Sequence, residues 1–245
     1  MKITFKIHFL FFVSAFICFI TGLFKNFIMI SSIILVHELG HILMAFILKW
    51  KIEKVIIFPF GGLTIFNQKI NSSLKEEFFI ALSGPILQIF FFTLLNTQSK
   101  IFITYHNLIL LFNLMPIYPL DGSKIINIFL NKIFSFRKSY IITLVISIFI
   151  LLFSTIIILN FDFNLILLLS ICLLVTKVLK YYNEFEYAFN KFLFERYLYK
   201  IKYRKIKNIN GLNLNKMFKE KTHIFITNKS IIKEEEFLSK MFDTH

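Results

Sequence analysis

His37-Glu38-Leu39-Gly40-His41 lies inside an apolar run that should be helical. Residues four apart share one helical face, so both imidazoles can reach one ion at the roughly 2.0–2.1 Å that zinc–nitrogen bonds need. Glu38 stands one residue on, about 100° around the helix. From there its carboxylate can serve as general base towards water that the metal activates. An ionised side chain in the middle of a membrane helix costs about 2.5–3.5 kcal/mol, a burden that a functional site explains and packing does not. A catalytic zinc keeps three protein ligands and one open position, so a third ligand must come from elsewhere. His8 and His106 are single polar residues in apolar runs and read as interfacial or hydrogen-bonded core histidines. Asp121 is the better candidate, in Asn113-Leu-Met-Pro-Ile-Tyr-Pro-Leu-Asp-Gly-Ser123. Pro116 and Pro119 should unwind the end of the preceding run and Gly122 should allow close backbone approach, turning the carboxylate inward. Standing alone, the same segment would read as an Asp-Gly turn at a membrane surface.

The elements that must position these groups are read from a chain of 245 residues, 57% hydrophobic and 17% charged, with mean hydropathy +0.72. Such a balance excludes an ordinary soluble domain. Six apolar runs, about 8–24, 27–48, 77–95, 101–118, 139–159 and 163–180, are long enough to be membrane spans. Cys18 and Cys172 lie inside such runs without C-x-x-C spacing, so neither a disulfide framework nor a thiolate metal site is expected. The formal charge is +14. Before residue 140 the alternate connections split it unevenly: Lys2, Lys6, Lys49, Lys51, Lys54, Lys69, Lys75, Lys124, Lys132, Arg137 and Lys138 against Lys25 and Lys100. The positive-inside rule places both termini in the cytosol, and the basic charge is explained without nucleic acid. Residues 54–66, rich in β-branched and aromatic side chains and punctuated by Pro59, Gly61 and Gly62, read as a hairpin or re-entrant element. The stretch 222–238 reads as strand, turn, strand and helix within a small cytosolic module. The fold class expected is therefore an all-α polytopic membrane protein with six transmembrane helices, a re-entrant β-hairpin element and a small cytosolic α/β tail. The division expected is a core of 1–180 and a tail of 181–245.

H-E-x-x-H in one membrane helix, followed by N-x-x-P-x-x-P-L-D-G, resembles the site-2 protease family of intramembrane zinc metalloproteases, peptidase family M50, over about residues 8–180. The resemblance implies His37, His41 and Asp121 as ligands of one Zn2+ per chain and Glu38 as the catalytic base. It implies that Asn113 lies beside the active site and that Phe60-Gly61-Gly62 borders the substrate. Within the family the chain is most similar to the sporulation branch. That likeness implies a membrane-associated protein substrate, a pro-sigma factor of the sigma-K type, with regulatory membrane proteins as possible partners. It further implies a location in the membrane surrounding the forespore. Two departures stand out: the family's G-P-x-x-N reads Gly84-Pro85-Ile86-Leu87-Gln88, and the second glycine after the aspartate is Ser123. The tail has room for one shortened CBS-like unit. A silent binder would have no need of Glu38, and a transporter would not explain a glutamate directly after a histidine at zinc spacing.

Overall fold

A computed structural model describes residues 4–58, 61–67, 70–95, 99–161, 165–227 and 230–243. Packing divides the chain into two units, Met1–Gln68 with Lys75–Met115, and Lys69–Leu74 with Pro116–His245. The first holds β1 (Thr4–Ile7), α1 (Phe9–Ile20), α2 (Phe24–Ile47), β2 (Ile52–Phe58), β3 (Gly61–Phe66), α3 (Leu74–Leu95, but for its first residue) and α4 (Lys100–Leu114). The second holds α5 (Asp121–Ile133), α6 (Phe136–Phe161), α7 (Leu165–Asn183), α8 (Phe185–Tyr199), β4 (Ile206–Asn210), β5 (Thr222–Ile226), β6 (Ile231–Lys233) and α9 (Glu234–Phe242).

Helices α1, α2, α3, α4, α6 and α7 fall on the six apolar runs. Three helical stretches, Phe24–Ile47, Leu74–Leu95 and Phe136–Ile156, are long and apolar enough to cross a membrane, and α1 and α4 are shorter apolar helices. Large side chains such as Phe9, Phe46 and Phe149 stay exposed along these helices. In lipid such surface carries no hydrophobic penalty, and helices close their own backbone hydrogen bonds. The hairpin expected from residues 54–66 forms as the antiparallel pair β2–β3, and β1 adds to β2 in parallel, a partner not anticipated from the sequence. Pro59 and Phe60 lie outside the described residues. The fourth run ends earlier than expected, at Leu114, because Met115 precedes Pro116 and is held extended (φ −62°, ψ 138°).

The second unit contains a helix that hydropathy did not signal. α5 is amphipathic, and its buried residues Asp121, Ser123, Ile128 and Asn131 include polar ones. Its seat is on α6, where Ser139, Thr143 and Ser147 continue a four-residue spacing that starts at Ser135, just before the helix, and all four are buried. Each hydroxyl of Ser139, Thr143 and Ser147 donates to the carbonyl four residues earlier, at 2.9–3.0 Å. Thr143 Oγ1 also accepts from Asn127 Nδ2 of α5 at 2.9 Å, and Ser147 Oγ accepts from the backbone N–H of Tyr118 at 3.0 Å. The stripe thereby holds both α5 and the segment leading into it.

The tail has a core of Phe189, Phe192, Leu193, Met217, Phe225 and Leu238, with Phe136 stacked on Phe192 at 4.4 Å. β4 and β5 pair in parallel and β5 and β6 antiparallel. Arg196, 2% exposed, uses all its donors: Nε to Asn71 Oδ1, Nη1 to Lys221 O and Glu234 Oε1, and Nη2 to Phe218 O and Lys219 O. Glu234 Oε2 accepts from the backbone and ring of His223, whose Nε2 accepts from the Phe218 N–H at 2.9 Å. With Nε2 committed as acceptor, His223 is the neutral Nδ1–H tautomer. Burial lowers the His223 pKa from its ordinary value against the upward pull of Glu234, and Arg196 and Lys221 add to the depression. For Glu234 burial pushes upward, but the His223 hydrogen bond and the Arg196 charge leave its pKa lowered.

A depressed pKa contributes stability above the unfolded value that is lost as pH falls through the folded value. For His223 that loss begins below about 6.5, and Glu234 adds the same sign below about 4.5. The protection factors of the β4 and β5 amides, corrected for the intrinsic pH dependence of exchange, should therefore fall between pH 7 and pH 5, and the fall should shrink in His223→Gln. An equal fall in the variant would assign the acid sensitivity to other groups.

Candidate metal centre

His37 and His41 lie on one face of α2, 2% and 5% exposed, and their Nε2 atoms are 3.2 Å apart. Both Nδ1 atoms are engaged with oxygens of α3. His37 Nδ1 is 2.9 Å from Gln88 Oε1, and His41 Nδ1 is 2.7 Å from the Ile80 carbonyl. An oxygen of this kind can only accept, so each ring carries its proton on Nδ1 and presents Nε2 as a lone-pair donor on the side of its neighbour. One cation can be shared by two lone-pair donors placed in this way. This is the outer-shell arrangement by which carbonyl groups fix the tautomer of a metal-binding histidine. With the Glu38 carboxylate, the candidate ligand atoms of the three residues lie within 4.8 Å of one another. Two imidazole nitrogens and a carboxylate suit zinc.

Small residues make the approach possible. A Cβ on Gly40 would lie under 3.0 Å from the Ser83 carbonyl and Gly84 Cα, so α2 and α3 meet backbone to backbone. A Cβ on Gly84 would likewise collide with Nε2 of both histidines. Glu38, 9% exposed, is approached from the hairpin: Thr64 Oγ1 donates to Glu38 Oε2 at 3.0 Å, and a Cβ on Gly62 would overlap Glu38 Cγ. Gly61 opens the same strand.

Gln88, 1% exposed, continues the chain of contacts: its Nε2 donates to the His106 carbonyl at 3.0 Å. The His106 ring stacks on Phe92 at 4.1 Å and is buried, as a core histidine is. His8 caps α1, its Nδ1 accepting from Leu10 N. Asn113 donates its amide to the Ile109 carbonyl within α4 at 3.0 Å. Asp121 belongs to the second unit, where it is the first residue of α5, 4% exposed, and pairs with Lys124 Nζ at 2.9 Å. The sequence shows side chains with metal chemistry but gives no sign of the groups that aim them. Thr64 looked like an ordinary strand residue, and the Ile80 carbonyl leaves no trace in a side-chain pattern.

Residues 25–102 match the family model described as Peptidase family M50. The solved site-2 protease from Methanocaldococcus jannaschii shares the fold with a TM-score of 0.56 at 25% identity, over 74% of this chain and 91% of that one. The chain belongs to peptidase family M50, among the site-2 proteases. It is 30% identical over 189 residues to Stage IV sporulation protein FB of Bacillus subtilis (strain 168), covering 73% of this chain and 66% of that protein. A zinc metalloprotease of Methanocaldococcus jannaschii is 31% identical over 126 residues, 46% of this chain and 36% of that one. The chain thus spans less than two thirds of the length of these relatives.

Gly84→Ala should place a methyl group where the two Nε2 atoms converge, lowering zinc affinity at least about tenfold, the lower end for outer-shell changes. Gly62→Ala presses on Glu38 instead and should leave zinc content unchanged. Metal analysis of the two variants in detergent checks this, and wild-type zinc in Gly84→Ala would place the ion elsewhere.

Proposed function

We propose that this chain is a zinc-dependent intramembrane endopeptidase in which His37, His41 and Asp121 hold one Zn2+ and Glu38 is the general base. The observation that carries this reading is the pair of Nε2 atoms facing each other at 3.2 Å with both Nδ1 atoms engaged, beside a buried carboxylate. Membership in a peptidase family supports it. Burial of Asp121 at the start of a helix, after a Pro-containing turn, supports its place as third ligand.

When bound, zinc supplies a Lewis acid that acidifies water and polarises a carbonyl. Glu38 takes the proton from the attacking water and delivers it to the nitrogen of the departing amine. Thr64 holds the carboxylate on one oxygen, which leaves the other for that exchange. Asn113 contributes a carboxamide that can hold substrate or the developing oxyanion. A transmembrane substrate must expose its backbone before it can be cut. β3, carrying Gly61, Gly62 and Thr64, pairs with β2 alone among the described residues, so its other edge can take an extended substrate strand main chain to main chain.

Six spans, a hairpin re-entrant from the cytosolic side and cytosolic termini complete the reading, supported by the basic inner connections. Residues 1–180 form the protease core and 181–245 a tail that docks the client. The substrate is a membrane-associated protein cleaved near the cytosolic face, a pro-sigma factor of the sigma-K type. The enzyme works during sporulation in the membrane surrounding the forespore, alongside regulatory membrane proteins. The likeness to Stage IV sporulation protein FB supports this assignment.

Glu38→Gln keeps size and hydrogen bonding but cannot accept a proton near neutral pH. Zinc should remain bound while cleavage of a co-expressed sigma-K-type pro-segment falls by ~10²–10⁴. Undiminished cleavage would remove Glu38 from the mechanism. Asp121→Ala should lose zinc, and full occupancy in that variant would strike Asp121 from the ligand set.

A further inference from the structure

Of the short connection between β3, which ends at Phe66, and α3, which begins at Leu74, the described residues from 70 on pack within the unit of the tail. Polar groups of Ile70, Asn71 and Leu74 are taken by tail residues. The backbone N–H groups of Ile70 and Asn71 donate to the two oxygens of Glu195, each at 3.0 Å. Asn71 Nδ2 donates to the Phe192 carbonyl at 3.0 Å and to Glu195 Oε2 at 3.2 Å, and its Oδ1 accepts from Arg196 Nε at 3.0 Å. The Asn71 carbonyl accepts from Tyr203 Oη at 3.2 Å, and Leu74 N–H, an orphan donor of the first helical turn, is capped by Glu220 Oε1 at 2.8 Å. Asn71, Glu195 and Arg196 are 7%, 6% and 2% exposed. An ordinary surface loop needs no buried arginine or paired carboxylate to hold it.

We infer that Asn71, Glu195 and Arg196 are positioning residues: through them the tail holds the connection, and with it the hairpin edge that meets Glu38 and receives substrate. The inference rests on the protease reading for its functional consequence, though the anchor itself does not. On one side of the anchored stretch lies the strand bearing Gly62 and Thr64, both against Glu38. On the other lies the helix whose Ile80 carbonyl and Gln88 orient the histidines. Release of the anchor would let the β3 edge sample more positions before a substrate strand pairs with it. Arg196 also serves Glu234 and the Phe218 and Lys219 carbonyls, so the groups that hold the connection are built into the packing of the tail.

Asn71→Ala removes the side-chain contacts with Phe192, Glu195 and Arg196 and leaves the Arg196–Glu234 pair in place. In the full chain, amide exchange over residues 61–67 should quicken about tenfold, the size of one or two lost net hydrogen bonds, while β4 and β5 stay unchanged. For a sigma-K-type pro-segment fused to a reporter, KM should rise with kcat and zinc content unchanged. A mere loss of folded protein would instead lower kcat at constant KM, and that result overturns the inference, as does unchanged exchange over 61–67. Tyr203→Phe, which deletes a single bond to the Asn71 carbonyl, should shift both readouts less and in the same direction, and it decides the matter if Asn71→Ala does not accumulate. Exchange is read without substrate. A wild type that cleaves nothing would therefore count against the protease reading, while the anchor would stand or fall on exchange alone.

Discussion

A neutral imidazole has one ring proton, and where that proton sits decides whether the other nitrogen can bind a metal. In this chain the choice is made by two oxygens of α3, the Gln88 carboxamide and the Ile80 carbonyl, which take the Nδ1 protons of His37 and His41. Both Nε2 atoms are thereby turned into acceptors and aimed at one point. The demand propagates outward: α3 must lie against α2, so Gly40 and Gly84 cannot carry a side chain, and Gln88 must itself be held, by the His106 carbonyl. His106, on an apolar helix, thus belongs to the scaffold of the centre without facing it.

The hairpin obeys a related constraint. A carboxylate that is to exchange protons has to be buried enough to avoid bulk water and anchored enough to hold direction. Thr64 gives Glu38 one hydrogen bond, and Gly62 lets the strand come close enough to give it. The strand that steadies Glu38 is also an edge of the sheet among the described residues, so in the proposed reading one element sets both the base and the substrate-pairing surface.

Much of this was legible in the sequence, because lipid imposes length and apolarity on a helix and zinc imposes spacing on its ligands. Six helices fell on the six apolar runs, the histidine pair on one face, and two strands and a helix on residues 222–242. What stayed hidden lacks that kind of periodicity. β1 is a four-residue strand whose partner lies some fifty residues away. α5 mixes Asn, Lys and Ile, so its mean hydropathy resembles a connection, and α8 carries polar and aromatic residues in nearly equal measure. The stripe Ser135, Ser139, Thr143 and Ser147 was visible as spacing, and it reads as a sign of something packed there only once α5 is seen against it. Asn71 and Glu195, 124 residues apart, meet through tertiary contact that no local pattern records.

That hydroxyl stripe has one more consequence. Ser147 takes hold of the chain around residues 116–118 by main-chain atoms, the Tyr118 N–H and the Pro116 carbonyl. Grip of that kind is blind to the side chains of the segment it secures. Over evolutionary time the approach to Asp121 is therefore free to change its lettering while keeping its course, and the burden of fidelity shifts to small hydroxyls on a neighbouring helix. Two divergent members of this family could preserve the same path into the aspartate while agreeing at few of the residues that trace it.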